Sequence, residues 1–170
     1  MRGMPIREAQ AEDASAVLAL LEKLYCETQF LLFEPGEVAV SVEHYAQRIT
    51  QSATTAAGVM LLGVAQDDLI ALCFGNRGVA RRNQHSLLIV MGVLQAYVGR
   101  GVGRALLNAV ESWAIANGVQ RLELTVNVDN QRAITLYEKC GFEREGTKKQ
   151  ALKIESRYFD EYCMAKLIAG

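Results

Sequence analysis

The sequence predicts one mixed α/β domain built in layers. Three observations predict it. Strand-like and helical patterns alternate along the whole chain, with no linker, repeat or low-complexity stretch between them. The 170 residues are 51% hydrophobic and 22% charged, which is enough to bury a core without staples and too apolar for a disordered chain. An apolar run from Leu87 to Leu94 feeds a glycine-rich loop, and the loop opens an amphipathic helix. That junction is a hallmark of layered α/β chains.

The elements follow in order. "PIREAQAED" opens with a short strand. Asp13 is the expected N-cap of a helix from about Ala14 to Gln29, with Val17, Leu20, Leu21 and Leu24 on one face. Pro35-Gly36 breaks the pattern, and Ser41 caps a second helix through "VEHYAQRITQSA". Two strand-like runs follow, "GVMLLGVAQ" and "LIALCFGNRG", with a hairpin turn expected at Asp67-Asp68. "ARRNQ" is a polar turn into a third run, "SLLIVMGV". The helix after the glycine loop carries Leu106, Ala109, Val110 and Trp113 on one face and stops at Asn117-Gly118. "VQRLELTVNV" alternates as a strand. "DNQRAITLYEKCG" is a fourth helix closed by Gly141, and the tail reads as strands around a turn near Glu155-Ser156.

Composition excludes several classes of function. With 18 basic and 19 acidic residues the net charge is −1, which argues against a nucleic-acid partner. Four scattered cysteines, without a Cys-x-x-Cys pair, and two histidines give no zinc spacing, so no metal is expected. Cys26, Cys140 and Cys163 neighbour aromatic or apolar residues and are expected to be buried, reduced thiols of a cytoplasmic protein. The start of the chain lacks the apolar core of a signal peptide, and the Leu87–Leu94 run is far short of the roughly 20 residues that span a bilayer. A soluble protein without a membrane partner is expected.

The stretch "YVGRGVGRALL" suits an anion. A phosphate loop of the Gly-Lys-Ser/Thr type is excluded by Gly103-Arg104-Ala105. A dinucleotide fingerprint needs its third small residue where Arg104 or Leu106 stands, although Glu123 lies near where a ribose-binding acid would be. Two readings remain. One is a pyrophosphate cradle, Arg100-Gly101-Val102-Gly103-Arg104 at a helix N-terminus, where backbone N–H groups and the helix dipole favour negative charge. The other is a glycine-rich turn that only reverses the chain.

In the fourth helix Asn130, Ala133, Ile134, Leu136, Tyr137 and Cys140 share one face, while Gln131, Arg132, Thr135, Glu138 and Lys139 share the other. Tyr137 therefore points inward. It is either a core tyrosine with a backbone partner for its hydroxyl or a donor in a site. Taken together, "YVGRGVGRALL" and "LTVNVDNQRAITLYEKCGFEREG" resemble the GNAT superfamily of acyl-CoA-dependent N-acetyltransferases, clearly from about Ser86 to Gly146. The ending "RYFDEYCMAKL" is similar to the branch that holds amino-acid, polyamine and ribosomal-protein acetyltransferases.

The resemblance implies a mostly antiparallel central sheet flanked by helices, with one parallel pair of strands splayed apart. It implies acetyl-CoA as cosubstrate in the cleft between the strand ending at Val93 and the strand from Leu122 to Val128. Gly92 would form the bulge that causes the splay. Met91, Gly92 and Val93 would bind the pantetheine arm and polarise the thioester. Gly99, Arg100, Gly101, Val102, Gly103 and Arg104 would hold the pyrophosphate, and Asn130 would contact the cofactor. Tyr137 would donate to the leaving thiolate. The loop departs from the family at Val98, where Arg or Gln is usual; Arg100 and Arg104 are expected to substitute. No general base is visible in "SLLIVMGV", and Glu123 can face either the cleft or solvent. The expected acceptor is a small-molecule amine, an amino acid or polyamine, with a protein amine or a non-catalytic acyl-CoA sensor as alternatives. Glu27, Glu34, Glu37 and Glu43 form either an acidic wall for a cationic amine or a solvated face. Phe30, Phe33, Tyr45, Tyr158, Phe159 and Tyr162 either line an acceptor pocket or form core. Members of the family often dimerise, and the C-terminal strands are the expected interface.

Overall fold

Seven strands form one sheet in the order β1-β2-β3-β4-β5-β7-β6. The computed structural model describes residues 4–168; Met1–Gly3 and Ala169–Gly170, which the expected domain of 1–170 includes, lie outside the described residues. The strands are β1 (Ile6–Glu8), β2 (Gly58–Ala65), β3 (Asp68–Arg77), β4 (Ser86–Val93), β5 (Arg121–Asn127), β6 (Glu143–Ile154) and β7 (Arg157–Leu167). The helices are α1 (Ala14–Glu27), α2 (Val42–Thr55), α3 (Val102–Ala116) and α4 (Gln131–Lys139). All neighbouring strands are antiparallel except β4 and β5.

The α1 face holds as expected: Val17, Leu20, Leu21 and Leu24 are buried, and they pack with Leu62 and Leu72 on one face of the sheet. Ser41 caps α2, its hydroxyl accepting from the His44 N–H at 3.2 Å. On the opposite face α3 buries Leu106, Leu107 and Val110 against Leu87, Ile89, Leu122 and Leu124. α4 adds Ile134 and Tyr137 to that second core. Ala109 and Trp113 are only partly buried, whereas Leu107 and Ala114 are fully buried. The buried stripe of α3 is therefore rotated slightly from the predicted one.

Asp13 does not cap α1. Its carboxylate accepts from the Gln10 N–H at 2.7 Å and pairs with both terminal nitrogens of Arg7, which pins the preceding short turn. The β2–β3 turn lies one residue earlier than predicted. Gln66 and Asp67 have φ of 50° and 70°, and Asp68 already pairs with Ala65. Positive φ at both central residues is what a two-residue hairpin needs to match the strand twist. Cys26 is exposed, against expectation, and Cys140 and Cys163 are half-buried; Cys73 is the fully buried thiol, and all four are unpaired.

Two local features position the site. The β4–β5 pairing stops at Leu88↔Glu123, while β5 continues beside β7 to Asn127. The strands therefore splay as expected, but not through a bulge at Gly92. The β3–β4 register runs unbroken through Leu72↔Gly92. Gly92 is small for another reason: a Cβ there would lie 2.9 Å from Leu24 Cδ1. Helix α1 rests directly on the strand. Gly92→Ala is expected to lower stability by about 1–3 kcal/mol through overpacking, read as a fall in the unfolding midpoint with an unchanged denaturant m-value.

The second feature is a break in the β6–β7 ladder between Lys148 and Leu152. Gln150 takes φ 50°. Asp160 holds the bulge by accepting from the Gln150 N–H at 2.8 Å and from Lys149 Nζ at 2.9 Å. Bulges of this kind re-aim side chains at the rims of sites, and here Lys148, Ala151 and Leu152 line the cleft.

Candidate functional site

The splayed strands open a cleft of about 1060 Å³, large enough for a cofactor-sized ligand. Leu88 to Val93 form one wall and Thr125 to Asn127 the other. Beyond Leu88 the β5-facing edge of β4 has no strand partner. Its backbone groups are open to a bound molecule, because buried backbone polar groups need a partner.

One end of the cleft is the glycine loop. Gly99 and Gly101 have φ of 79° and 84°, and Gly101 is the N-cap of α3. Ala105 N–H makes the first intrahelical bond, to Gly101 O at 3.0 Å. The N–H groups of Val102, Gly103 and Arg104 thus have no acceptor in the helix, as at any α-helix N-terminus. Gly103 is closely packed: a Cβ there would lie 2.7 Å from Leu136 Cδ2 and 3.3 Å from Met91 Cε, so those side chains would have to shift. The loop therefore presents unpaired N–H groups at a helix N-terminus, an arrangement that suits an anion. Val98, Gly99, Gly101, Gly103 and Arg104 line the cleft. The Arg100 side chain does not line it. Its guanidinium sits 5.4 Å over the Tyr97 ring, so of the two arginines expected to compensate for Val98 only Arg104 faces the cleft. The Val102 side chain is in the core, leaving its N–H as the group available to a ligand.

Tyr137 lies deep on the cleft wall, 8% exposed, its ring packed on Phe142 at 5.8 Å. Among the described residues no side chain or backbone group bonds to its hydroxyl, so it is not the core tyrosine with a satisfied hydroxyl. Burial pushes the phenol well above its ordinary value of 10.0, and the nearby Cys73 thiol adds to the shift. Cys73 itself is pushed up to about 12 by burial. Asn130 lines the cleft and caps α4, its Oδ1 accepting from the Ala133 N–H at 3.3 Å.

Of the acidic residues in the α1–α2 region, Glu27 lines the cleft. Its carboxylate accepts from the Gln95 N–H at 2.7 Å, tying the end of α1 to the turn after β4. Glu37 accepts from the Glu34 N–H at 2.9 Å and so serves its own loop. Of the six aromatic residues only Phe30 lines the cleft; Phe33 packs on Tyr25 and Tyr45 is core. Glu123 is held at 2.8 Å by Arg121 and does not line the cleft.

Two residues not anticipated from sequence complete the site. Asn127 and Glu161, 2% and 9% exposed, are the buried polar and charged residues among those described, and both line the cleft. They stand directly opposite each other across β5 and β7. Asn127 Oδ1 accepts from the Asp129 N–H at 2.9 Å, while its Nδ2 has no partner. A buried donor left unpaired costs about 1–3 kcal/mol. Period-2 alternation placed both residues on strands but could not show that the splay leaves this end of β5 open. Among the described residues no group of three or more His, Cys, Asp or Glu is placed to hold a metal ion, and no helix is long and apolar enough to cross a membrane.

Known proteins share this architecture. The AaaT L-amino acid N-acetyltransferase of Escherichia coli is 43% identical over 72 residues, 40% of this chain and 43% of that protein. The RimI N-alpha-acetyltransferase of Mycobacterium tuberculosis is 38% identical over 76 residues, 45% of each chain. The chain thus spans less than half the length of these curated relatives. A GNAT-family acetyltransferase structure from Streptococcus pneumoniae matches with a TM-score of 0.93 at 29% identity, over 98% of this chain and 99% of that one. The fold of yncA from Salmonella typhimurium, solved with its cofactor acetyl-CoA, matches with a TM-score of 0.86 at 16% identity, over 99% and 95%. The family model described as acetyltransferase (GNAT) family matches residues 19–142. Splayed strands, glycine cradle and inward tyrosine all fall within that span or at its edge, and the chain belongs to the acetyltransferase (GNAT) family.

Proposed function

We propose that this chain transfers the acetyl group of acetyl-CoA to the primary amine of a small molecule, an amino acid or a polyamine. The observation that carries this is the Tyr137 hydroxyl, without a partner among the described residues, on the wall of a cleft that begins at a glycine loop and helix N-terminus. The residues fit the cosubstrate. The Val102, Gly103 and Arg104 N–H groups and the Arg104 side chain suit a pyrophosphate. The unpaired edge of β4 from Ile89 to Val93 suits an amide-bearing arm, which can bond to it as a strand would. Asn130 also lines the cleft.

When bound, acetyl-CoA supplies the acyl group as a thioester. Backbone N–H groups on the open β4 edge would donate to the carbonyl oxygen as charge develops there. The acceptor's neutral amine forms the new C–N bond, the C–S bond breaks, and the Tyr137 hydroxyl donates to the departing sulfur. A free thiol has a pKa of about 8.5, and Tyr137 is raised from 10.0. Full proton transfer to the thiolate is therefore uphill, so Tyr137 acts chiefly by hydrogen bonding. The amine proton leaves to solvent.

The sign of that shift gives a pH prediction. A raised phenol stays protonated as pH climbs past its ordinary value. The kcat profile should rise with deprotonation of the amine and show no fall up to about pH 10. A descending limb near pH 8 to 9 would contradict the role.

Free-thiol release from acetyl-CoA, with panels of amino acids, polyamines and basic peptides, tests the function. Release dependent on a small amine is expected. Release only with peptides would favour a protein acceptor, and acetyl-CoA binding without release would favour a sensor. The RimI relative's printed name, N-alpha-acetyltransferase, keeps the peptide arm in the panel. The four unpaired cysteines suit a reducing, cytoplasmic setting. The exposed edge strand β6 supports a homodimer through the C-terminal strands.

A further inference from the structure

Resting on the transferase reading, we infer that Asn127 and Glu161 read an amine and a neighbouring oxygen on one acceptor, and that the acceptor is an α-amino acid rather than a polyamine. Glu161 carries a negative charge on the cleft wall, and among the described residues no side chain donates to it. An ammonium or amine is its natural complement. Asn127 supplies the opposite requirement. The Asp129 N–H needs an acceptor and takes Oδ1 at 2.9 Å, which fixes the orientation of the amide and leaves Nδ2 as a donor. That donor is buried and unpartnered, and Asn127 is one of the residues that line the cleft. Apart from the lone pair of the neutral amine, which the reaction consumes, a polyamine presents only donors and aliphatic carbon and leaves it unsatisfied. A carboxylate oxygen can satisfy it.

The spacing agrees. Asn127 and Glu161 are direct cross-strand partners on β5 and β7, so their side chains leave the same face of the sheet about 5 Å apart at Cβ. A ligand reaching both must carry its amine and its oxygen close together, as an α-amino acid does. Lys148 is the other cross-strand neighbour of Glu161. It also lines the cleft, and among the described residues it forms no ion pair within 4.0 Å. Glu161 therefore stands between Asn127 and Lys148 in the sheet. Glu161 orients the amine, and Asn127 selects the acid.

The test is steady-state thiol release from acetyl-CoA with matched acceptors: amino acids, each beside the amine left when its α-carboxylate is removed, such as L-leucine with isoamylamine and L-phenylalanine with phenethylamine. For the wild-type enzyme kcat/KM should favour the acid over its decarboxylated partner roughly tenfold or more, the discrimination that a hydrogen bond to a charged group supplies. Asn127→Asp keeps an oxygen for the Asp129 N–H and removes the donor; it should bring that ratio to one or below. Glu161→Gln keeps the shape and should lower kcat/KM for both members alike, mainly through KM. A wild-type ratio near one, or polyamines preferred over every amino acid, overturns the inference while leaving the transferase reading intact. A ratio unchanged in Asn127→Asp also overturns it. Should Asn127→Asp fail to fold, the wild-type ratio and Glu161→Gln decide. No thiol release with any acceptor overturns the transferase reading, and this inference with it.

Discussion

Tyr137→Phe is expected to lower kcat by about 100-fold or more, in the range of a positioned acid, with the affinity for acetyl-CoA nearly unchanged. The ring packs on Phe142 and sits in the core with Ile134 and Leu136, and phenylalanine keeps all of that. Only the hydroxyl is lost. Because no group among the described residues bonds to it, its removal strands no partner there, and the melting temperature should hold or rise slightly. The separation of kcat from stability makes the variant informative. Single-turnover thiol release beside a melting curve measures both. A tenfold effect or less, or a loss of kcat matched by a loss of folded protein, would remove Tyr137 from the reaction.

The second large effect is expected at Gly101. A side chain there meets no atom within 4 Å, so nothing clashes and the backbone alone carries the cost. Gly101 has φ 84°, a region closed to β-branched residues. Gly101→Val therefore strains the N-cap of α3 by about 1–3 kcal/mol. An exposed loop that packs on nothing at that point relaxes rather than holds the strain, and relaxing turns the first N–H groups of α3 away from the ligand. The expected result is acetyl-CoA binding weakened roughly 10- to 100-fold, since 1.4 kcal/mol is a factor of ten, with a nearly unchanged melting temperature. Calorimetric titration with acetyl-CoA checks it. Tight binding in the variant would mean that the cradle does not hold the pyrophosphate.

Much of this architecture is visible in the sequence because it follows from local chemistry. The alternation in "LELTV" and the helical spacing of Ile134 and Tyr137 act over a few residues, and each is borne out by burial. Ser41 caps α2 because its hydroxyl has one near and obvious donor. Asp13 misled because a better partner, Arg7, arrives from β1. Gly92 was legible as a constrained position but not as a contact, since Leu24 lies far away in sequence. The same distinction divides the site. The glycine cradle and Tyr137 sit in contiguous motifs. Arg100 has the right charge, yet Tyr97 claims it in three dimensions. Asn127 and Glu161 lie inside the quoted stretches, but nothing in the local pattern assigns either a role. Their meeting depends on β7 inserting between β5 and β6, a pairing that no short window records.

The most direct measurement is a crystal structure of the protein with CoA. The pyrophosphate is expected on the Val102, Gly103 and Arg104 N–H groups, the arm along the open edge of β4, and the thiol within hydrogen-bond reach of the Tyr137 hydroxyl. A pyrophosphate bound elsewhere, or a thiol directed away from Tyr137, would contradict this arrangement.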